Sequence, residues 1–317
     1  METRLLDRQW IERLLSETPA GVLKALGDTA HQDAFSGVSR PEEIEAGLTK
    51  ALAETLAVIA RISPEPELMN IFRMRWDFRN LRSLIKASVQ KGGEGEIGLT
   101  HGIGTVDVET LKKAVEDRNF VMLPPALGEA AAAALDAFRD KSEIRMIDQV
   151  LGQAMWAHAL ATARAHGNDF LVQYLKTEMD LANVKAFVRV KDSGRDVDDL
   201  AQAFLPGATL ELSFFSALLG EPMDAFARAI EFGKYSALTP LFRDWSKDRG
   251  YLLELACDNV LLKEVDGAKR IAYGIEPLVA FVLYRQIEIK LVRAAVVAKL
   301  DGLERSDVEA RLRSVHV

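Results

Sequence analysis

Apolar residues return every three or four positions along nearly the whole chain, the spacing of an amphipathic helix, and two-residue alternation is never sustained. Leu48, Leu52, Leu56 and Ile59 mark one such stripe. It follows Ser39-Arg-Pro41-Glu42, a capping-box sequence with proline in the first turn. Ser63-Pro-Glu-Pro-Glu67 breaks that helix and starts another, because a first turn tolerates proline and an interior does not. The new helix is predicted to end in Lys91-Gly-Gly-Glu-Gly95. The same order recurs later. Ser142 is predicted to open a long helix through Ile147, Leu151 and Trp156, which Gly167-Asn168-Asp169 ends while capping its successor. A loop then follows in both places, Thr100-His-Gly-Ile-Gly104 and Leu205-Pro206-Gly207-Ala208, and each leads into a short helix, 106–115 and 210–219. Thr105 and Thr209 stand where helix caps are expected. β-branched pairs such as Val296-Val297 sit inside helical periodicity, so the fold class is all-α.

A longer repeat lies over this pattern. Asp77-Phe-Arg-Asn80-Leu-Arg82-Ser-Leu84-Ile85-Lys86 is matched by Asp180-Leu-Ala-Asn183-Val-Lys185-Ala-Phe187-Val188-Arg189. A more diverged copy reads Glu288-Ile-Lys-Leu291-Val-Arg293-Ala-Ala-Val296-Val297, with Asp307-Val-Glu309 echoing Asp107-Val-Glu109. The copies begin 103 and 108 positions apart, a domain's length each and too long for a solenoid unit. Three modules are therefore expected, 1–101, 102–205 and 206–317, each of two long and two shorter helices.

On a helix an acid and an amide three residues apart share a face. Asp77 with Asn80, and Asp180 with Asn183, can thus bond within their modules, with Glu288 at the third structural position. The basic residue five after the acid points about 140° away. In the first copy that other face is a stripe of Arg75, Arg79, Arg82 and Lys86. If the modules surround a pseudo-three-fold axis, Arg82, Lys185 and Arg293, flanked by Arg79 and Lys86, form a partial ring suited to an acidic or helical partner. The alternative is an ordinary solvated face, with the acid–amide pairs tying helices together.

Composition narrows the function. A net charge of −7 argues against a nucleic-acid binder, which carries a basic excess. The single cysteine, Cys257, excludes an internal disulfide and sits in an apolar run, as a core thiol in a reducing compartment would. The N-terminus lacks a signal-peptide apolar core. The best membrane candidate, Leu278-Val-Ala-Phe-Val-Leu-Tyr284, is far short of the ~20 residues a span requires.

Recognisable catalytic chemistry is missing from the pattern. His31, His101, His158, His166 and His316 lack metal-ligand spacing, Gly102-Ile-Gly104 has neither a preceding strand nor a third glycine, and no Gly-Lys-Ser/Thr phosphate loop occurs. No catalytic residue, metal or cofactor is expected, and the run Ala130 to Ala134 is read as a close-packing helix surface.

The C-terminal stretch adds a specific likeness. Tyr273-Gly274-Ile-Glu276-Pro277-Leu278-Val-Ala280-Phe281, then Glu288-Ile289, Arg293 and Lys299-Leu-Asp-Gly302-Leu303, resembles the family of V-type ATPase C subunits, the prokaryotic counterpart of the eukaryotic d subunit. The motifs at 77 and 180 and the Leu-Pro-Gly loop at 205–207 match it in register, and the likeness spans essentially the whole chain. The resemblance implies a funnel of three helical bundles about a pseudo-three-fold axis. It implies a non-catalytic rotor part at the cytoplasmic face, joining the D and F subunits of the central shaft to the membrane rotor ring without itself spanning the membrane. Two other readings stand beside it: a helical enzyme with a site assembled from dispersed charges, and a helical-repeat scaffold for another protein partner.

Overall fold

The computed structural model describes residues 5–303 apart from 7, 30, 39, 41–42, 91–97 and 272, and every regular element among them is helical. The capping sequence at 39–42, the helix end at 91–95 and the echo at 307–309 fall wholly or largely outside the described residues. The chain packs as two compact units, Met1–Pro64 with Glu221–Val317, and Glu65–Gly220.

The first unit begins with α1 (Arg8–Ser16), α2 (Pro19–Gly27), α3 (Gln32–Phe35) and α4 (Ile44–Ile62). Thr18 caps α2 by accepting the Gly21 N–H at 3.1 Å, with Pro19 in the first turn. The stripe of Leu48, Leu52, Leu56 and Ile59 is buried along α4, and the helix stops at Ile62 before Pro64.

The second unit is α5 (Pro66–Val89), α6 (Val108–Glu116), α7 (Pro125–Lys141), α8 (Arg145–Ala165), α9 (Asp169–Asp192), α10 (Val197–Ala203) and α11 (Leu212–Leu218). α5 is packed by α6, α7 and α8, while α9 packs on α8 and α10. Helices covered on several sides need a broad apolar surface, so α5 and α9 bury residues around most of their circumference. Ala130, Ala131 and Ala134 form the buried side of α7, where small side chains permit close approach to α5 and α8. Ser142 does not open a helix. It closes α7 in the left-handed conformation (φ 57°), and α8 begins three residues later. A serine between two helices suits either end in composition; the carbonyls left open at the end of α7 decide the outcome here.

The first unit resumes with α12 (Met223–Ala229), α13 (Thr239–Arg243), α14 (Gly250–Asp266) and α15 (Glu276–Leu300). α15 is its centre, burying sixteen of twenty-five residues and touching α1, α2, α4 and α14. The apolar run 278–284 is core, and among the described residues no helix is long and apolar enough to cross a membrane. Cys257 on α14 is 2% exposed.

Candidate functional site: two buried locks and a basic cleft

The repeated acid–amide pairs form the same device twice. Asp77 and Asn80 on α5 are 0% and 1% exposed, as are Asp180 and Asn183 on α9. Asn80 Nδ2 donates to the Thr100 carbonyl at 2.8 Å, and its Oδ1 accepts the Thr100 N–H at 2.9 Å. Asn183 does the same with Leu205, at 3.0 Å and 2.8 Å. A side-chain amide thus stands in for a paired backbone, satisfying donor and acceptor together.

Four or five residues further on, the acid completes the grip. Asp77 accepts the Thr105 N–H at 2.8 Å, the Thr105 hydroxyl at 2.6 Å and the Val106 N–H at 3.1 Å. Asp180 accepts the Thr209 and Leu210 N–H groups at 3.1 Å and 2.7 Å. Between each pair of anchors the chain turns through a glycine with positive φ, Gly102 at 77° and Gly207 at 94°. Gly104 lies so close to the Asp77 carboxylate that a Cβ there would collide with it. Thr105 and Thr209 are therefore held by the preceding long helix and cap nothing; Asp107 caps α6, accepting the Glu109 N–H at 3.0 Å. Burial pushes the Asp77 carboxyl above its usual range, opposed by the three donors that Thr105 and Val106 direct at it.

The third acid grips something else. Glu288 on α15 is 4% exposed and meets the Leu6 N–H, the His31 ring (Nε2 at 2.9 Å) and the Arg285 guanidinium, itself 3% exposed. Where the other copies hold the loop just after their own helix, this one holds residues 282 and 257 positions earlier. Leu291, in the place of the amide, is buried core.

The basic positions have separate surroundings. Arg75, at the head of the stripe, is drawn inward to Glu178 in a two-pronged pair at 2.6 Å and 2.8 Å, with its guanidinium 4.7 Å from the Trp156 ring. Arg79 is exposed and stacks on Trp76 at 5.0 Å. Arg82 and Lys86 approach Asp148 at 3.6 Å and 2.6 Å. Lys185 is half-buried on α9, and Arg293 makes a two-pronged pair with Glu45 at 2.6 Å and 3.0 Å.

Arg82 also belongs to a feature that no motif announces. A cleft of about 600 Å³, walled by α5, α8, α9 and α10, gathers Arg82, Arg145, Arg189 and Arg195 with Asp148 and Asp199. Leu205, pinned by Asn183, forms part of the wall, and Gln153 braces it by donating to the Phe204 carbonyl at 3.0 Å. Four arginines from positions 82 to 195 have no common period, and only Arg82 and Arg189 lie in the repeat motif.

Every regular element among the described residues is helical, and in the Glu65–Gly220 unit the buried carboxylates Asp77 and Asp180 serve the protein's own loops. The chain belongs to the ATP synthase (C/AC39) subunit family, whose model matches residues 1–311. It is 25% identical to the C subunit of the A-type ATP synthase of Thermococcus gammatolerans, covering 98% of this chain and 86% of that one. It is 21% identical to the C subunit of the V-type sodium ATPase of Enterococcus hirae, covering 99% and 95%. It is 23% identical to the C subunit of the V-type ATP synthase of Thermus thermophilus, covering 96% and 93%. The chain is thus a structural, non-catalytic subunit of an A/V-type ATP synthase complex.

Proposed function

We propose that this protein is the central-stalk adaptor of its complex, seated between the D and F subunits of the shaft and the membrane rotor ring, peripheral to the membrane on the cytoplasmic side. The observation that carries the reading is the family match along the chain, joined to a body built for stiffness: a loop clamped to a long buried helix by four or five hydrogen bonds, twice over. Torque passes through a body that does not yield, and paired buried polar groups resist shear because breaking them leaves donors unsatisfied. In this reading the three modules 1–101, 102–205 and 206–317 surround a pseudo-three-fold axis as a funnel. Arg82, Lys185 and Arg293, with Arg79 and Lys86, meet acidic side chains of the shaft, which replace Asp148 and Glu45 as partners.

Native mass spectrometry of this chain mixed with the D–F shaft of its own organism tests the proposal. A 1:1:1 complex, weakened by joint charge reversal of Arg82, Lys185 and Arg293 with helicity intact, is the expected result. Binding that ignores the reversal removes those residues from the interface. Failure to bind the shaft, either alone or mounted on the ring, removes the adaptor role.

A further inference from the structure

The cleft between α5, α8, α9 and α10 has a charge balance that the adaptor reading leaves unused. Arg82 and Lys86 face Asp148, while Arg145 is engaged by Asp199 at 2.5 Å and by Glu143 at 2.6 Å. Both aspartates of the wall are thereby answered. Arg189, on the last turn of α9, and Arg195, three residues beyond its end, make no ion pair among the described residues. Two guanidiniums are left to face one space of about 600 Å³. That volume is in the range that encloses a small organic ligand.

A second feature is independent of charge. The side-chain oxygens of Gln149 and Gln202, both residues of the cleft wall, are buried without a hydrogen-bond partner. Buried acceptors without donors are rare and costly. Both residues stand in the wall that carries the surplus cations, but their oxygens are covered in this conformation and meet a ligand's O–H or N–H groups only when the side chains turn into the cleft.

We propose that this cleft binds a small organic phosphate bearing hydroxyl or amine donors. Arginine's planar fork suits phosphate oxygens through paired hydrogen bonds, and the surplus of two positive charges matches a phosphate dianion. The glutamine side chains turn into the occupied cleft, and their oxygens receive the ligand's own donors. An extended acidic peptide fits less well, because Arg82, Arg145 and Arg189 come from three different helices around one half-open cleft and do not form a line. The site rests on the second unit alone; it shares Arg82 and Asp148 with the adaptor reading, but its surplus cations, Arg189 and Arg195, take no part in that reading.

Isothermal titration of the full chain with ADP and, separately, with inorganic pyrophosphate tests it, with circular dichroism confirming that each variant is folded. The expected result is saturable one-to-one binding of ADP that falls at least tenfold in Arg189→Ala/Arg195→Ala. Arg139→Ala, outside the cleft, should leave it unchanged. Pyrophosphate should bind more weakly, and Gln149→Leu/Gln202→Leu should bring ADP down towards it. Absence of saturable binding by either probe at millimolar concentration overturns the proposal, as does affinity indifferent to the arginine pair. Capture of a polyglutamate peptide where both phosphate probes fail overturns it in favour of a protein ligand. Equal binding of ADP and pyrophosphate overturns the role given to the glutamines.

Discussion

Replacing Asn80 with alanine deletes both bonds that tie Thr100 to α5, the donated one at 2.8 Å and the accepted one at 2.9 Å. Thr100 is half-buried, so water reaches part of what is lost, and the net value of a neutral hydrogen bond, about 1 kcal/mol, is the fitting figure for each. The loop should therefore loosen by about 2 kcal/mol, and its local opening should become about thirtyfold more frequent. Asn183→Ala removes the matching pair at Leu205 and should cost the same, because the two locks are alike in residue type, burial and geometry. Hydrogen exchange is the assay of choice, since the Thr100 and Leu205 amides are themselves the protected donors. Each variant should speed exchange at its own loop and leave the other loop slow. Exchange changed by less than about threefold at both loops would refute the claim that the amides hold them.

Three further outcomes follow from the same geometry. Gly104→Ala drives a methyl into the Asp77 carboxylate and should destabilise by about 1–3 kcal/mol in urea unfolding, whereas Ala208→Gly, at the corresponding place of the second lock, should change little because a methyl is already accommodated there. Glu288→Ala strips the carboxylate from the buried Arg285 and should cost about 3–5 kcal/mol, read as a lowered thermal midpoint; a midpoint unchanged from the parent contradicts the assigned role. Asp77 holds its proton more readily folded than unfolded, so its contribution to stability is fully present below the ordinary value of 3.8 and is lost as pH rises through the raised folded value. Urea midpoints of the parent relative to Asp77→Asn should accordingly fall over that window and level off above it; a rise would reverse the sign and exclude burial as the dominant influence on this carboxyl.

The sequence alone carries most of the helices, because each needs only a period and a break: Leu48 to Ile59 and the prolines at 64 and 66 suffice for α4 and the start of α5. It also marks Asp77, Asn80, Asp180 and Asn183 as a set. What they grip is not legible locally. Thr105 reads as a cap because threonine before a short helix usually is one; its capture by a carboxylate 28 residues earlier depends on packing that only the folded unit provides. The basic cleft was hidden for the same reason, since Arg145 and Arg195 belong to no repeat and meet Arg82 only once α5, α8, α9 and α10 are assembled.

The grip of Glu288 on Leu6 and His31 bears on how the protein is made. The Glu65–Gly220 unit is one unbroken stretch, and all of it has left the ribosome before α15 is translated. Its two locks can close during synthesis, each a few seconds after its helix appears, at about 5–20 residues per second. The segment before residue 64 is made first and must wait longest, because its buried partner is coded 282 positions after Leu6. Birth order and folding order are therefore opposed in this chain: its earliest residues are among the last to find their place.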